Sequence, residues 1–443
     1  MNGLPAYRYT VDQINDSKAH TPTNEQWRLP TDHSHQVGND RLVAVASNYG
    51  HIQVRQDEGS PKFLNDFVPE NQQFGGGIGY LTDGKTVLST YYSSKEQSLD
   101  RVFGVGYYRK TVKGDDLVAE QTVFAPFGDD PLLISQVKVE NNRSEPVDLQ
   151  WIEYWGCQQY QFSMKAFVKA TISKKAPAHI RRELARQFSH DISVIEGNKG
   201  LKDVTHFMGE PFGAKVAWRF TRFMLNFVGN EITGGPIKFP VKEAVLEDLS
   251  PPPVFFLSLD SPYDGCSSNA TAFFGDGGVD SPAGIHTPLS SLPDAPMDSE
   301  KGLLLERKVQ LKPGEIKTLY FAFGYTTEGY TLESLSQKYE AAPSDLLSNS
   351  SNQWKHRRIE LDVGDEKWVD RELLWHNYYL RSNLTYDSFF KEHILSQGHV
   401  YQYIIGFQGA ARDPLQHALP FMYSEPFPET YTILDIEPKM LFG

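Results

Sequence analysis

The chain has 443 residues, 40% of them hydrophobic and 13% aromatic, and carries a formal net charge of -13. That balance excludes a disordered polyampholyte, and it argues against polyanionic partners, so neither nucleic acid nor an anionic membrane is expected to bind. Two cysteines, Cys157 and Cys266, make no disulfide framework in so long a chain, and a reducing, cytoplasmic setting is expected.

The length predicts two or three domains, or one large sandwich with a second unit. The opening MNGLPAYRYTVDQ has no basic start followed by an apolar run, and no stretch approaches eighteen apolar residues. A signal peptide and a membrane-spanning helix are therefore not expected. The short basic clusters Lys174-Lys175 and Arg181-Arg182 read as solvated faces.

In chain order, residues 1–38 are polar and read as an arm on the surface, with order beginning near Asn39-Asp40-Arg41. From there to about Trp155 the pattern is β. LVAVAS is a strand, Asp83-Gly84 marks a hairpin, and Thr86 to Tyr92 is strand-like. Arg101 to Thr111 reads as one strand, and Leu117 to Phe124 follows the turn at Lys113–Asp116. Leu132 to Glu140 alternates, with Leu133, Ser135, Val137 and Val139 on one face, and Asn141–Ser144 turns the chain. Short strands punctuated by turns predict an antiparallel sandwich.

HIRRELARQFSHDISV predicts a short helix. Pro251 to Lys301 is rich in Pro, Ser, Gly and Asp and reads as a long irregular excursion. Leu303 to Leu311 and Ile316 to Tyr325 read as a hairpin turning at Pro313-Gly314. After Gly329 the period becomes helical: linker helices broken at Pro343, then a helix from Trp368 to His393 with a wide apolar band.

Polar groups gather inside an aromatic segment at Ser396 to Tyr423. Arg412 and Asp413 follow Gly409-Ala410-Ala411, with Gln408 before and Gln416-His417 after. Small residues let a ligand approach the backbone, and a guanidinium beside a carboxylate can bracket vicinal hydroxyls. Equally, Asp413-Pro414 with Gln416 fits the N-cap, N1 and N3 positions of a helix, so Asp413 serves as a cap, a ligand, or both. Glu392 and Glu425 have no carboxylate partner at a useful spacing, and no metal-ligand motif, phosphate loop or nucleophile elbow is present. No catalytic residue, metal or cofactor is assigned.

Two stretches resemble the cellobiose and chitobiose phosphorylases of glycoside hydrolase family 94. The first runs from Arg101 to Gly156 and holds Gly104 to Tyr107, AEQTVFAP at Ala119 to Pro126, Val137 to Asn141, Pro146 and Tyr154. The second, WHNYYLRSNLTYDSFFKEHILSQGHVYQYIIGFQGAARDPLQHAL, resembles the opening of that family's (α/α)6 barrel, and FFGDGGVDSPAGI resembles a loop late in its sandwich. The fold so implied is mainly β: a large antiparallel β-sandwich of galactose mutarotase-like type, linker helices, and the first helices of an incomplete (α/α)6 barrel. The implied boundaries are 1–38 for the arm, 39–328 for the sandwich, 329–366 for the linker and 367–443 for the barrel start. The implied activity is inverting cleavage of β-linked gluco-oligosaccharides by inorganic phosphate, a co-substrate, giving a sugar 1-phosphate. Arg412 and Asp413 would hold the non-reducing sugar, flanked by Gln408 and His417, and the resemblance implies a homodimer.

There are two departures. Gln416-His417 stands where family members often have Gln-Asp, and no Asp-Trp-Asn-Asp-like loop supplies the general acid before Gly443. On this reading the chain is a truncated member, expected to be inactive alone. The alternatives are a related glycoside hydrolase, or a non-catalytic carbohydrate-binding or scaffolding sandwich.

Overall fold

A computed structural model of the chain describes residues 3–9, 33–59, 63–93, 97–159, 188–208, 251–357, 364–388 and 391–395, with single positions at 359, 419, 420 and 423. Among the described residues, two antiparallel sheets of nine and eight strands face each other. The nine-stranded sheet runs, in spatial order, Ala6–Tyr9, Ser98–Gly104, Tyr107–Gly114, Leu117–Phe124, Leu132–Asn141, Ile316–Tyr325, Val254–Ser258, Gly200–Phe207 and Phe188–Ile195. The eight-stranded sheet runs Gly265–Asn269, Lys301–Leu311, Val147–Gly156, Gly76–Thr82, Ile52–Arg55, Val43–Ser47 and Ser34–Gly38, with Val87–Ser89 on Gly76–Thr82. The mainly β sandwich read from strand alternation is the architecture found, with a few helices added.

The centre of the nine-stranded sheet is buried on both faces, which explains the apolar runs of Leu132–Asn141, Val254–Ser258 and the second half of Ile316–Tyr325. Leu133, Val137, Phe321 and Phe323 point inward to the main core with Trp151, Trp155 and Ile78. Leu132, Ile134, Phe255 and Ala322 point outward, where Leu335, Tyr339 and Leu347 cover them. Those covering residues come from the helices Leu332–Glu340 and Leu346–His356. A 3-10 turn at Pro343–Asp345 separates the two helices, where the sequence predicts the break. Thr331 caps the first of them by accepting a hydrogen bond from the Ser334 amide.

Several local readings are corrected. Arg101 to Thr111 is a hairpin, not one strand, because Gly106 takes φ +84 and the chain reverses between Gly104 and Tyr107. Leu303–Leu311 and Ile316–Tyr325 do not pair. The first lies against Val147–Gly156 and the second against Leu132–Asn141, so the Pro313-Gly314 turn carries the chain from one sheet to the other. Gly314 N is held by Asn141 O at 2.7 Å there, tying this switch to the one that follows Leu132–Asn141. The excursion from Pro251 contains Val254–Ser258, an interior strand, and Gly265–Asn269. Phe188–Ile195, which begins in the second half of the segment read as a short helix, is a strand, and the first half, 179–187, lies outside the described residues. Ala6–Tyr9 and Ser34–Gly38, in the stretch read as an arm, pair with Ser98–Gly104 and Val43–Ser47.

The helix predicted over Trp368–His393 ends at Arg381, and Leu384–Asp387 pairs with Glu392–Leu395 as a hairpin. Its apolar band is one face rather than most of the circumference: Leu374, Tyr378 and Arg381 are buried while Trp368 is 55% exposed. The Asn269 side chain is buried and caps Ala270–Phe274 by accepting from Ala272 N.

Close packing at the sheet centre makes one sharp prediction. A Cβ on Gly79 would sit 2.0 Å from Trp151 Cζ2, and Trp151 is fully buried. Gly79→Ala is expected to destabilise the fold by about 1–3 kcal/mol or more through overpacking. Urea unfolding checks this, and an unchanged midpoint would refute it.

Candidate functional site

Gln408, Arg412, Asp413 and His417, the residues expected to hold a sugar, lie outside the described residues, as does Glu425. What the structure does resolve is how the chain is held just before them. Charged side chains converge where the Leu384–Leu395 hairpin meets the sandwich, and Arg41 is at their centre.

Arg41 sits on the turn between Ser34–Gly38 and Val43–Ser47. Asn39 shapes that turn: its Oδ1 accepts from Arg41 N at 3.0 Å and Leu42 N at 3.1 Å, and its Nδ2 donates to Pro126 O and Asp130 O. The guanidinium so placed lies between two rings, 4.6 Å from the Tyr330 centroid and 4.2 Å from that of Tyr386. Its Nη1 is 3.5 Å from Glu58 Oε2, and its Nη2 is 3.5 Å from Asp129 Oδ2.

Both carboxylates are held further. Glu58 accepts from Tyr325 Oη at 2.7 Å and Thr327 Oγ1 at 2.6 Å. Asp129 accepts from Tyr330 Oη at 2.9 Å, and His393 Nε2 lies 2.6 Å from its other oxygen. Burial raises the Glu58 pKa, with Arg41 opposing. Burial also pushes Asp129 upward, but the His393 hydrogen bond and charge, then Arg41 and Tyr330, outweigh it and hold that carboxyl below its ordinary range.

Two further pairs extend the cluster. Asp40 takes a two-pronged contact from Arg381, at 2.9 and 2.7 Å. Burial raises Asp40, with Arg381 opposing. Arg55 meets Asp57 at 2.7 Å with both side chains fully buried, and Thr385 Oγ1 also donates to Asp57. Beside them, Gln36 donates to Tyr379 O and Ser382 Oγ, and Tyr378 Oη donates to Gln36 O. The helix Lys367–Arg381 and the hairpin after it are thus fastened to one corner of the eight-stranded sheet.

Chemically this is an anchor. All four oxygens of Glu58 and Asp129 are engaged, and both rings face Arg41, so neither acid nor ring is spare for a sugar. Glu392, weighed as a lone acid, lies on the hairpin opposite Asp387, while its neighbour His393 meets Asp129. Arg41, Glu58, Asp129 and Tyr330 carried no spacing signal in the sequence. The available hint was charge embedded among apolar strands, as in Arg55-Gln56-Asp57-Glu58. Among the described residues, one set could ligate a metal ion: Cys157, His190 and Asp203.

No protein-family model matches the chain, and no curated protein matches it by sequence. Among solved structures, the chain is similar to one described as a kojibiose phosphorylase from the human microbiome, with 8% identity, TM-score 0.40, and coverage of 79% of this chain and 39% of that one. It is also similar to a family 92 glycosyl hydrolase, with 9% identity, TM-score 0.35, and coverage of 80% and 40%. A third is described as an aldose 1-epimerase from Klebsiella pneumoniae, with 7% identity, TM-score 0.29, and coverage of 78% and 97%. The chain spans about two fifths of the length of the first two. Similarity at this level assigns no residue of this chain a role. No helix among the described residues is long and apolar enough to cross a membrane.

Proposed function

We propose that this chain is carbohydrate-active and binds β-linked gluco-oligosaccharides, as part of a family 94-like inverting phosphorylase. The order of parts carries the reading. A large antiparallel sandwich is followed by two helices laid on its outer face, then by a helix and hairpin anchored at Arg41. The Gln408–His417 stretch, with Gly409-Ala410-Ala411 before Arg412, follows further along the sequence. The three neighbours reported above are described as a phosphorylase, a glycosyl hydrolase and a sugar epimerase, which agrees with a carbohydrate role without specifying one.

In this reading the Arg412 guanidinium and the Asp413 carboxylate bracket the hydroxyls of the non-reducing sugar, with Gln408 and His417 beside them. Inorganic phosphate is the nucleophile. Being anionic already, it attacks the anomeric carbon without a carboxylate base, so a single acid suffices to protonate the leaving oxygen. That acid is not assigned to any residue of this chain.

Binding of cellobiose-type oligosaccharides to the full chain, measured by calorimetry, tests the proposal. Arg412→Ala is expected to weaken binding about 10–100-fold, the value of a charge-assisted hydrogen bond. Unchanged affinity would remove the assignment. Release of a sugar 1-phosphate that depends on added phosphate marks a phosphorylase, and phosphate-independent release marks a hydrolase. Binding with no turnover is the outcome expected of this chain alone, in which no general acid is assigned.

A further inference from the structure

Away from the Arg41 cluster, the two sheets meet at a second polar point. Cys157 directly follows Val147–Gly156 of the eight-stranded sheet, while His190 and Asp203 stand on the last two strands of the nine-stranded sheet. One potential ligand atom from each lies within 4.8 Å of the other two. His190 Nδ1 is 2.7 Å from Asp203 Oδ2, and Thr205 Oγ1 donates to that same oxygen at 3.2 Å. Gln159 Nε2 in turn donates to Thr205 Oγ1 at 3.0 Å.

The other Asp203 oxygen is the unusual feature. The side chain is 0% exposed, and among the described residues Oδ1 has no hydrogen-bond partner. A buried carboxylate oxygen left unpaired is costly, and a cation is the simplest group that satisfies it. Gln159 Oε1, also buried, is unpaired as well.

We propose that Cys157, His190 and Asp203 bind a zinc-type divalent transition-metal ion that staples the two sheets together. The donor set is one sulfur, one nitrogen and one oxygen. That suits zinc, which takes thiolate, imidazole and carboxylate in a tetrahedral shell, and does not suit calcium or magnesium, which take oxygen ligands. Three protein ligands leave one position for solvent. Thr205 and Gln159 supply the outer contacts that fix a ligating carboxylate. His190 also lines a cavity of about 990 Å³ with Gln158, Ser189, Asp191 and Glu300.

A Cys-His-Asp nucleophilic triad is the competing chemistry, and the geometry disfavours it. Cys157 is fully buried, with the Asp203 carboxylate close by. A nucleophilic cysteine instead needs an electropositive, partly exposed setting.

The test uses the full chain, stripped with chelator and titrated with Co²⁺ or Zn²⁺ alone. One cobalt ion per chain is expected, with a thiolate-to-cobalt charge-transfer band in the near ultraviolet that zinc displaces. Zinc should raise Tm by on the order of a few degrees. Cys157→Ser should abolish the band, His190→Gln should weaken zinc on the order of 100-fold, and Cys266→Ser should change neither. A wild-type chain with no band overturns the proposal whatever the variants do. So does a band that survives Cys157→Ser, or zinc affinity indifferent to His190→Gln.

Discussion

Arg41→Met is expected to destabilise the protein by about 3–5 kcal/mol, the cost of removing one partner from a buried ion cluster. Methionine keeps much of the stem's bulk, so the loss isolates the charge and its donors. The Arg41 side chain is 5% exposed and that of Glu58 is 4% exposed, so solvent cannot replace the missing cation at Glu58, while Asp129, 32% exposed, is partly solvated. Glu58 and Asp129 would then face each other without Arg41 between them, and the Asp129 charge already raises the Glu58 pKa. Tyr330 and Tyr386 would also lose the guanidinium between their rings. Arg41→Lys should recover little, because an ammonium is a point charge and cannot reach both carboxylates as a planar fork.

The damage should be local before it is global. Hydrogen exchange of the Leu384–Leu395 peptides is expected to speed up under conditions where the Leu132–Asn141 strand stays protected. Adding Glu58→Gln should restore part of the loss, since the uncompensated charge is then gone. A loss under about 1 kcal/mol, with hairpin exchange unchanged, would show that the cluster anchors nothing.

Much of the sandwich was legible because its turns carry their own chemistry. Asp83-Gly84 and Lys113–Asp116 bend where the sequence says they should, with Gly84, Asp115 and Asp116 all at positive φ. Pro343 breaks the linker helices for an equally local reason. What stayed hidden is non-local. Nothing in Pro313-Gly314 distinguishes a hairpin from a sheet switch, because both reverse the chain. The choice is made by which partner strand, Leu132–Asn141 or Val147–Gly156, has a vacant edge. The helix beyond Trp368 ended early because Thr385 is drawn to Asp57, which lies 328 positions away in sequence. The Arg41 cluster was invisible for the same reason: positions 41, 58, 129, 330 and 393 share no period.

A pH titration of stability should expose a second buried cation, Lys110, inside the sandwich. Its side chain is fully buried, and its Nζ donates to Gly50 O at 2.8 Å and to Gly77 O. Burial lowers its pKa to about 7, with Glu153 opposing. His51 and Glu153 are the titratable groups whose charges act with it here. Between about pH 7 and the ordinary lysine value near 10.5, the unfolded chain holds a proton that the folded chain has shed. Stability therefore rises with pH across that window, by up to about 1.4 kcal/mol per unit and roughly 5 kcal/mol in all, and is lost as pH falls toward 7.

Glu153 pulls the other way. Its carboxylate accepts from Ser135 Oγ, Trp151 Nε1 and Trp155 Nε1, yet burial still raises its pKa. A raised carboxyl contributes stability below its ordinary value of 4.5, and that contribution fades as pH climbs through the folded value. The two slopes separate when Lys110→Met is made in both the native and the Glu153→Gln backgrounds. Urea unfolding at pH 7, 8, 9 and 10 should show the Lys110 chains gaining on their Met counterparts with each step, in both backgrounds. Parallel curves would mean that Lys110 keeps its proton when folded, and that the two glycine carbonyls bind an ammonium ion across the whole range.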